Sequence, residues 1–156
     1  MPVKHQSHCD SLSGENSYEE VALARLRRAK KHDTAQRRLI VRAIANAEKP
    51  LSAYDIQAAI AKATSGALRV DIVTVYRFLD VLSELSLIWH VGLLDNRVFR
   101  RLSNEKTLVA LLVDVDAETV TELPLAPAVG QSILAATKAA GRTSLGMQIE
   151  VEVTNG

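Results

Sequence analysis

Four side chains between positions 73 and 77 have the widest chemical reach in this chain. Val73 and Thr74 carry methyl groups, Tyr76 a hydroxyl on an aromatic ring, and Arg77 a planar fork of donors. On a helix they occupy the surface left over when Val75, Leu79 and Leu82, spaced by four and three, turn inward. A guanidinium forks onto guanine or onto phosphate, and valine and threonine methyls meet the methyl of thymine. Such a face therefore suits base edges in a DNA groove. An ordinary helical hairpin with polar residues outside has the same spacing, so the pattern needs support from its surroundings.

Other chemistry is sparse. The histidines are His5, His8, His32 and His90, and the one cysteine is Cys9. Zinc takes about four N, S or O ligands, and residues 103–156 contain neither His nor Cys. His5, His8 and Cys9 sit together in a polar N-terminal stretch, where any metal would be held weakly. Asp114, Asp116 and Glu118 crowd a turn and are expected in solvent, and Trp89 is expected half buried against the helices. No Gly-rich phosphate loop, H-E-x-x-H or nucleophile elbow is present. The chain does not read as an enzyme.

The elements that position residues 73–77 follow from caps and periodicity. Residues 1–17 lack periodicity and read as a flexible tail without the apolar core of a secretory signal. A helix opens at Tyr18, and a second is capped by Asp33 or Thr34 and ends at Lys49-Pro50. Ser52 with Asp55 forms a capping pattern for a third helix over 53–63, broken by Ser65-Gly66. Asp71 suits the N-cap of a fourth, over 72–85. Extended runs over 87–94 and 97–102 flank Asp95-Asn96 as a hairpin. Two helices joined by a short turn and followed by a hairpin make a winged helix-turn-helix. Beyond it, 107–113 and 119–123 predict a second hairpin, 129–140 a helix closed by Gly141, and 143–153 a strand.

Charge divides the chain at the same place. Residues 1–102 carry 16 Lys and Arg against 11 Asp and Glu, and residues 103–156 carry 3 against 7. Between 25 and 42 eight basic residues face only Asp33. Such a block suits a polyanion, although solvated helix faces are often charged as well. The longest apolar run, 108–113, falls far short of the roughly 18 residues that span a bilayer. We expect a cytoplasmic protein with no membrane association and no small-molecule substrate.

Thr74-Val75-Tyr76-Arg77, with Leu79, Leu82 and then Leu87-Ile88, resembles the recognition helix and wing of the ferric uptake regulator family. Thr34-Ala35-Gln36-Arg37 is similar to the family's T-P-Q-R opening of its second helix. Leu51-Ser52-Ala53-Tyr54-Asp55-Ile56 looks most like the zinc-responsive Zur branch. The likeness covers residues 20–102 and extends further only in the order of elements. It implies an α+β protein: a winged-helix DNA-binding domain over 18–102, then a small α/β dimerisation domain over 103–156. It also implies a DNA-binding transcription regulator, a repressor, acting as a homodimer on a palindromic operator in double-stranded DNA. Tyr76 and Arg77 carry over as base contacts, beside Val73 and Thr74. Arg28, Arg37, Arg38, Ser52, Tyr54 and Arg97 complete the expected interface.

The chain also departs from the family. Ser103-Asn104-Glu105-Lys106-Thr107 stands where a histidine cluster is usual, and Ala110 and Val113 stand where a C-x-x-C pair is usual. His90 is the one weak candidate for a sensor ligand. Zinc is usual in the family, but most ligand positions are missing, so no cofactor is expected. Apolar packing by Leu108, Leu111, Val113, Val120, Leu123, Ile149 and Val151 is expected in its place. A rival reading is a protein that pairs with or antagonises another family member without binding DNA.

Overall fold

The computed structural model describes residues 17–104, 106–143 and 147–154. Helix α1 (Tyr18–Arg28) starts at Ser17, where the Ser17 hydroxyl and the Glu20 carboxylate each accept from the other's backbone N–H. The expected tail otherwise lies outside the described residues, together with His5, His8 and Cys9. Helix α2 (Ala35–Ala45) is capped by Thr34, whereas Asp33 pairs with Arg38 at 2.7 Å. Helix α3 (Ala53–Ala63) opens with the Ser52–Asp55 capping box. Ser65 and Gly66 then turn the chain with positive φ, a region that glycine enters without steric cost. Helix α4 (Ile72–Glu84) opens at Asp71, whose carboxylate accepts from the Val73 and Thr74 N–H groups.

The four helices share one core in which Leu26, Ile40, Ile44, Ile56, Ile60 and Leu82 are almost fully buried. α1 closes over the C-terminal end of α4. Arg25 donates to the Leu85 carbonyl at 3.1 Å, placing a cation where the helix dipole is negative. Tyr18 donates its hydroxyl to the Leu87 carbonyl at 3.0 Å, and burial raises its pKa well above that of a free tyrosine.

Strands β1 (Ile88–Val91) and β2 (Arg97–Arg100) pair antiparallel and form the wing. The extended run expected over 87–94 is shorter, because Gly92–Leu94 coils into a 3-10 turn. Asp95 and Asn96, both left-handed, complete the reversal. The second sheet has β3 (Val109–Asp114) at its centre, β4 (Thr119–Pro124) antiparallel on one side and β5 (Ile149–Glu152) parallel on the other. A parallel neighbour requires a crossover, and α5 (Pro127–Ala139) supplies it. The strand expected over 143–153 narrows to β5, with 144–146 outside the described residues.

The second core joins the two halves. Val109, Leu111 and Val113 of β3 pack with Trp89, Val91, Leu94 and Phe99 of the wing. Trp89 is therefore buried against the second sheet, not half exposed against the helices, because alternate ribbon positions face opposite sides. Asp114 is also buried, not in solvent, and accepts from the Ala117 N–H at 2.9 Å, which tightens the turn into β4. Of the residues expected to pack the sheet, Leu111 and Val113 are buried, but Leu123 and Val151 are 44% and 42% exposed. α5 buries none of its side chains. No helix among the described residues is long and apolar enough to cross a membrane.

Two outcomes follow for stability. Ile56→Ala removes most of a fully buried side chain and should lower unfolding free energy by about 2–5 kcal/mol in denaturant titration. The Asp55 carboxyl is held below the ordinary aspartate pKa by hydrogen bonds from the Ser52 N–H and hydroxyl. Its stabilisation should be complete above the unfolded aspartate value and fade as pH falls through the lower folded value. The Tm difference between the parent and Asp55→Asn should accordingly be flat above about pH 5 and shrink towards pH 2.

Candidate nucleic-acid interface

Helix α3 packs against α4, and the 64–71 turn carries the chain from the end of α3 to the start of α4. Gln57 fixes that turn by donating its side-chain amide to the Val70 carbonyl at 2.8 Å. The side chains left outside are unusually apolar for a surface: Tyr54 is 64% exposed, and Val73 and Tyr76 are each 51% exposed. Arg77 is exposed beside Tyr76 and makes no hydrogen bond or ion pair among the described residues. Thr74 is half buried, and Ser52 is engaged with Asp55 at 2.7 Å through its hydroxyl. A protruding helix start with aromatic, methyl and guanidinium groups outward has the shape and donors to enter a major groove.

The basic residues divide into two groups. Arg28 on α1 is exposed and has no ion pair among the described residues. Arg37 stacks its guanidinium 5.2 Å from the Phe78 ring centre and donates to the His32 carbonyl. Arg38 makes a two-pronged pair with Asp33, with both distances 2.7 Å. That pair holds the Asp33 carboxyl below its usual pKa. In the wing, Arg97 pairs with Glu118 at 2.9 Å, Arg100 donates to the Ala47 carbonyl, and Arg101 lies 4.1 Å over the Trp89 ring. The wing arginines thus meet protein partners, which local sequence does not signal because those partners are distant in the chain.

His90 lines a cleft with Tyr76, Asp80, Asp95 and Arg97 between α4 and the wing. Its backbone carbonyl accepts from the Gln148 side-chain amide at 2.6 Å. Among the described residues no group of three or more His, Cys, Asp and Glu is placed to hold a metal ion. These residues do not by themselves fit a metal centre.

A model of the ferric uptake regulator family matches residues 29–140. No curated protein sequence matches. Among solved structures, the chain is similar to a zinc uptake regulator complexed with zinc and DNA. The identity is 19% and the TM-score 0.74, covering 89% of this chain and 93% of that one. It is also similar to XcZur in its holo form, at 24% identity and a TM-score of 0.70, covering 88% and 94%. The Helicobacter pylori ferric uptake regulator, whose structure reveals three functional metal binding sites, shares 15% identity with a TM-score of 0.57, covering 86% and 89%. These likenesses bear out the α+β fold, with a helical N-terminal part and a small C-terminal sheet. They also correct one expectation. The missing thiols and histidines point to no cofactor, whereas the regulators that share this fold include one complexed with zinc and one with three functional metal binding sites. Ligand positions read from local motifs are a poor guide to a metal, since ligands converge from distant segments. From its family match and its winged helix-turn-helix, the chain belongs to the ferric uptake regulator family of transcription regulators.

Proposed function

We propose that this chain is a cytoplasmic repressor that binds a palindromic operator in double-stranded DNA as a homodimer. In this reading, residues 18–102 read the DNA and residues 103–156 pair with a second copy. The observation that carries the DNA reading is the exposed Tyr54–Val73–Tyr76 surface, with Arg77, unpaired among the described residues, at its edge. Arg77 and Tyr76 face base edges, Val73 and Thr74 reach thymine methyls, and Ser52, Tyr54, Arg28, Arg37, Arg38 and Arg97 follow the phosphates. Arg28 is the most available of these cations, since Arg38 and Arg97 must exchange a carboxylate for phosphate.

The homodimer is supported by what one chain leaves uncovered. Val129, Ile133 and Leu134 on α5 are exposed, as are Leu123 on β4 and Val151 on β5. A unit this small covers its apolar surface poorly alone, and a two-fold partner presents the same faces back to it. Two-fold symmetry would set the reading helices about 34 Å apart, or a multiple of that. No observation favours the rival reading of a partner that only antagonises other family members.

Arg77→Ala should lower preference for the operator over random duplex. Arg28→Ala leaves one phosphate without its cation and should shallow the log–log salt slope by about 0.9. Electrophoretic mobility shifts across a salt series measure both. Unchanged operator preference in Arg77→Ala would remove α4 from the reading role. Ile133→Asp with Leu134→Asp places charges on the uncovered helix face and should turn a dimer into monomers in sedimentation analysis. A chain that is monomeric before the change would refute the homodimer.

A further inference from the structure

The wing is tied to the second sheet by acidic side chains that the DNA-binding surface does not use. Glu150 on β5 accepts from the Gly92 N–H at 2.8 Å and the Leu93 N–H at 2.9 Å. These groups open the 3-10 turn, and its own N-cap, Val91, has no side chain able to satisfy them. Glu150 thus caps the turn from a remote strand. Gln148 braces it, donating to the Glu150 carboxylate and to the His90 carbonyl, both at 2.6 Å. A Cβ at position 92 would stand 3.4 Å from the Glu150 Oε1, an ordinary contact, so the cap does not depend on glycine there. Across the ribbon, Glu122 on β4 accepts from the Trp89 indole N–H at 2.7 Å and from the Leu102 N–H at 2.9 Å.

The two carboxylates grip opposite ends of the wing, one at the tip after β1 and the other at its base. α4 runs into β1 through residues 85–87, which α1 also holds through Tyr18 and Arg25. The helical unit that carries α4 therefore turns with the wing. Ionised acceptors on N–H donors make strong, directional bonds, which apolar contact between Trp89, Phe99 and β3 cannot supply. We infer that Glu122 and Glu150 are positioning residues for DNA binding: together they set the angle at which the helix-turn-helix leaves the second sheet. In a pair of chains that angle fixes the separation of the two α4 helices. The inference rests on the proposed reading of DNA by a homodimer.

Half-site spacing separates positioning from plain stabilisation. The probe is a duplex selected by the parent chain from a random-sequence pool, compared with versions whose half-sites are moved apart or together by one base pair. The parent should prefer its own spacing by about tenfold or more, and the Glu122→Ala, Glu150→Ala double variant should lose most of that preference. Binding to random duplex should change little, because each helical unit keeps its phosphate contacts. Trp89, the sole tryptophan, reports the joint independently, and its emission should shift to longer wavelength and become more open to acrylamide quenching in the variant. If the Ala pair does not fold, Glu122→Gln with Glu150→Gln keeps the size and one acceptor per site. That pair should show the same changes in weaker form. A variant that retains both the spacing preference and the Trp89 emission overturns the positioning role while the DNA reading stands. A parent chain that selects no duplex overturns the DNA reading, and the positioning role falls with it.

Discussion

The ribbon formed by β1 and β2 is buried on both of its faces, and this double burial is the constraint from which the rest of the architecture follows. Ile88 and Val98 complete the helical core, while Trp89, Val91 and Phe99 complete the core of the second sheet. A two-stranded ribbon alone is barely stable in water, so it persists here only because each face meets a packed partner. The helical unit and the sheet are consequently not independent bodies joined by a tether. A change in the ribbon is felt in both cores.

Part of the charge asymmetry meets at this shared element. The acidic second half places Glu118 against Arg97 and Lys49, Glu122 against the base of the wing, and Glu150 against its tip. Glu118 thus meets two cations of the first half, whereas Glu122 and Glu150 accept from neutral N–H groups. In the positive block of α1 and α2, Arg27, Arg28, Arg38 and Arg42 are exposed. Arg25 is an exception, since it donates to the end of α4 and stabilises the helix that the interface depends on. Exposed ion pairs such as Arg38–Asp33 contribute little stability in water. Their interest lies in holding guanidinium groups in place.

The outward face of α3 and α4, the proposed reading surface, is built at modest cost. Caps at Ser52 and Asp71 satisfy the first backbone N–H groups of both helices, so the helix starts can protrude without unpaired donors. The apolar side chains that remain exposed there, Tyr54, Val73 and Tyr76, are groups that burial in the core would otherwise claim. The uncovered side chains on α5, β4 and β5 form a second such exception, away from the first.

Much of this architecture is legible in the residues alone, because the signals are local. Capping at Ser52 and Asp71, the apolar spacing of α4, the Asp95-Asn96 reversal and the closing Gly141 depend on neighbours within a turn or two of the helix. The motif Thr74-Val75-Tyr76-Arg77 carries the family for the same reason, and the family match agrees with it. What the residues do not reveal is which remote groups meet. Nothing in the run 87–94 indicates that Glu150, 58 positions beyond Gly92, caps its turn. Nor does it show that Trp89 faces the sheet, that the wing arginines have protein partners, or that Asp114 is buried. Helix starts and turns are governed by short-range sterics and hydrogen bonds, which a single segment contains. Burial, charge pairing and the angle between the two halves are decided by the packing of segments that only the folded chain brings together.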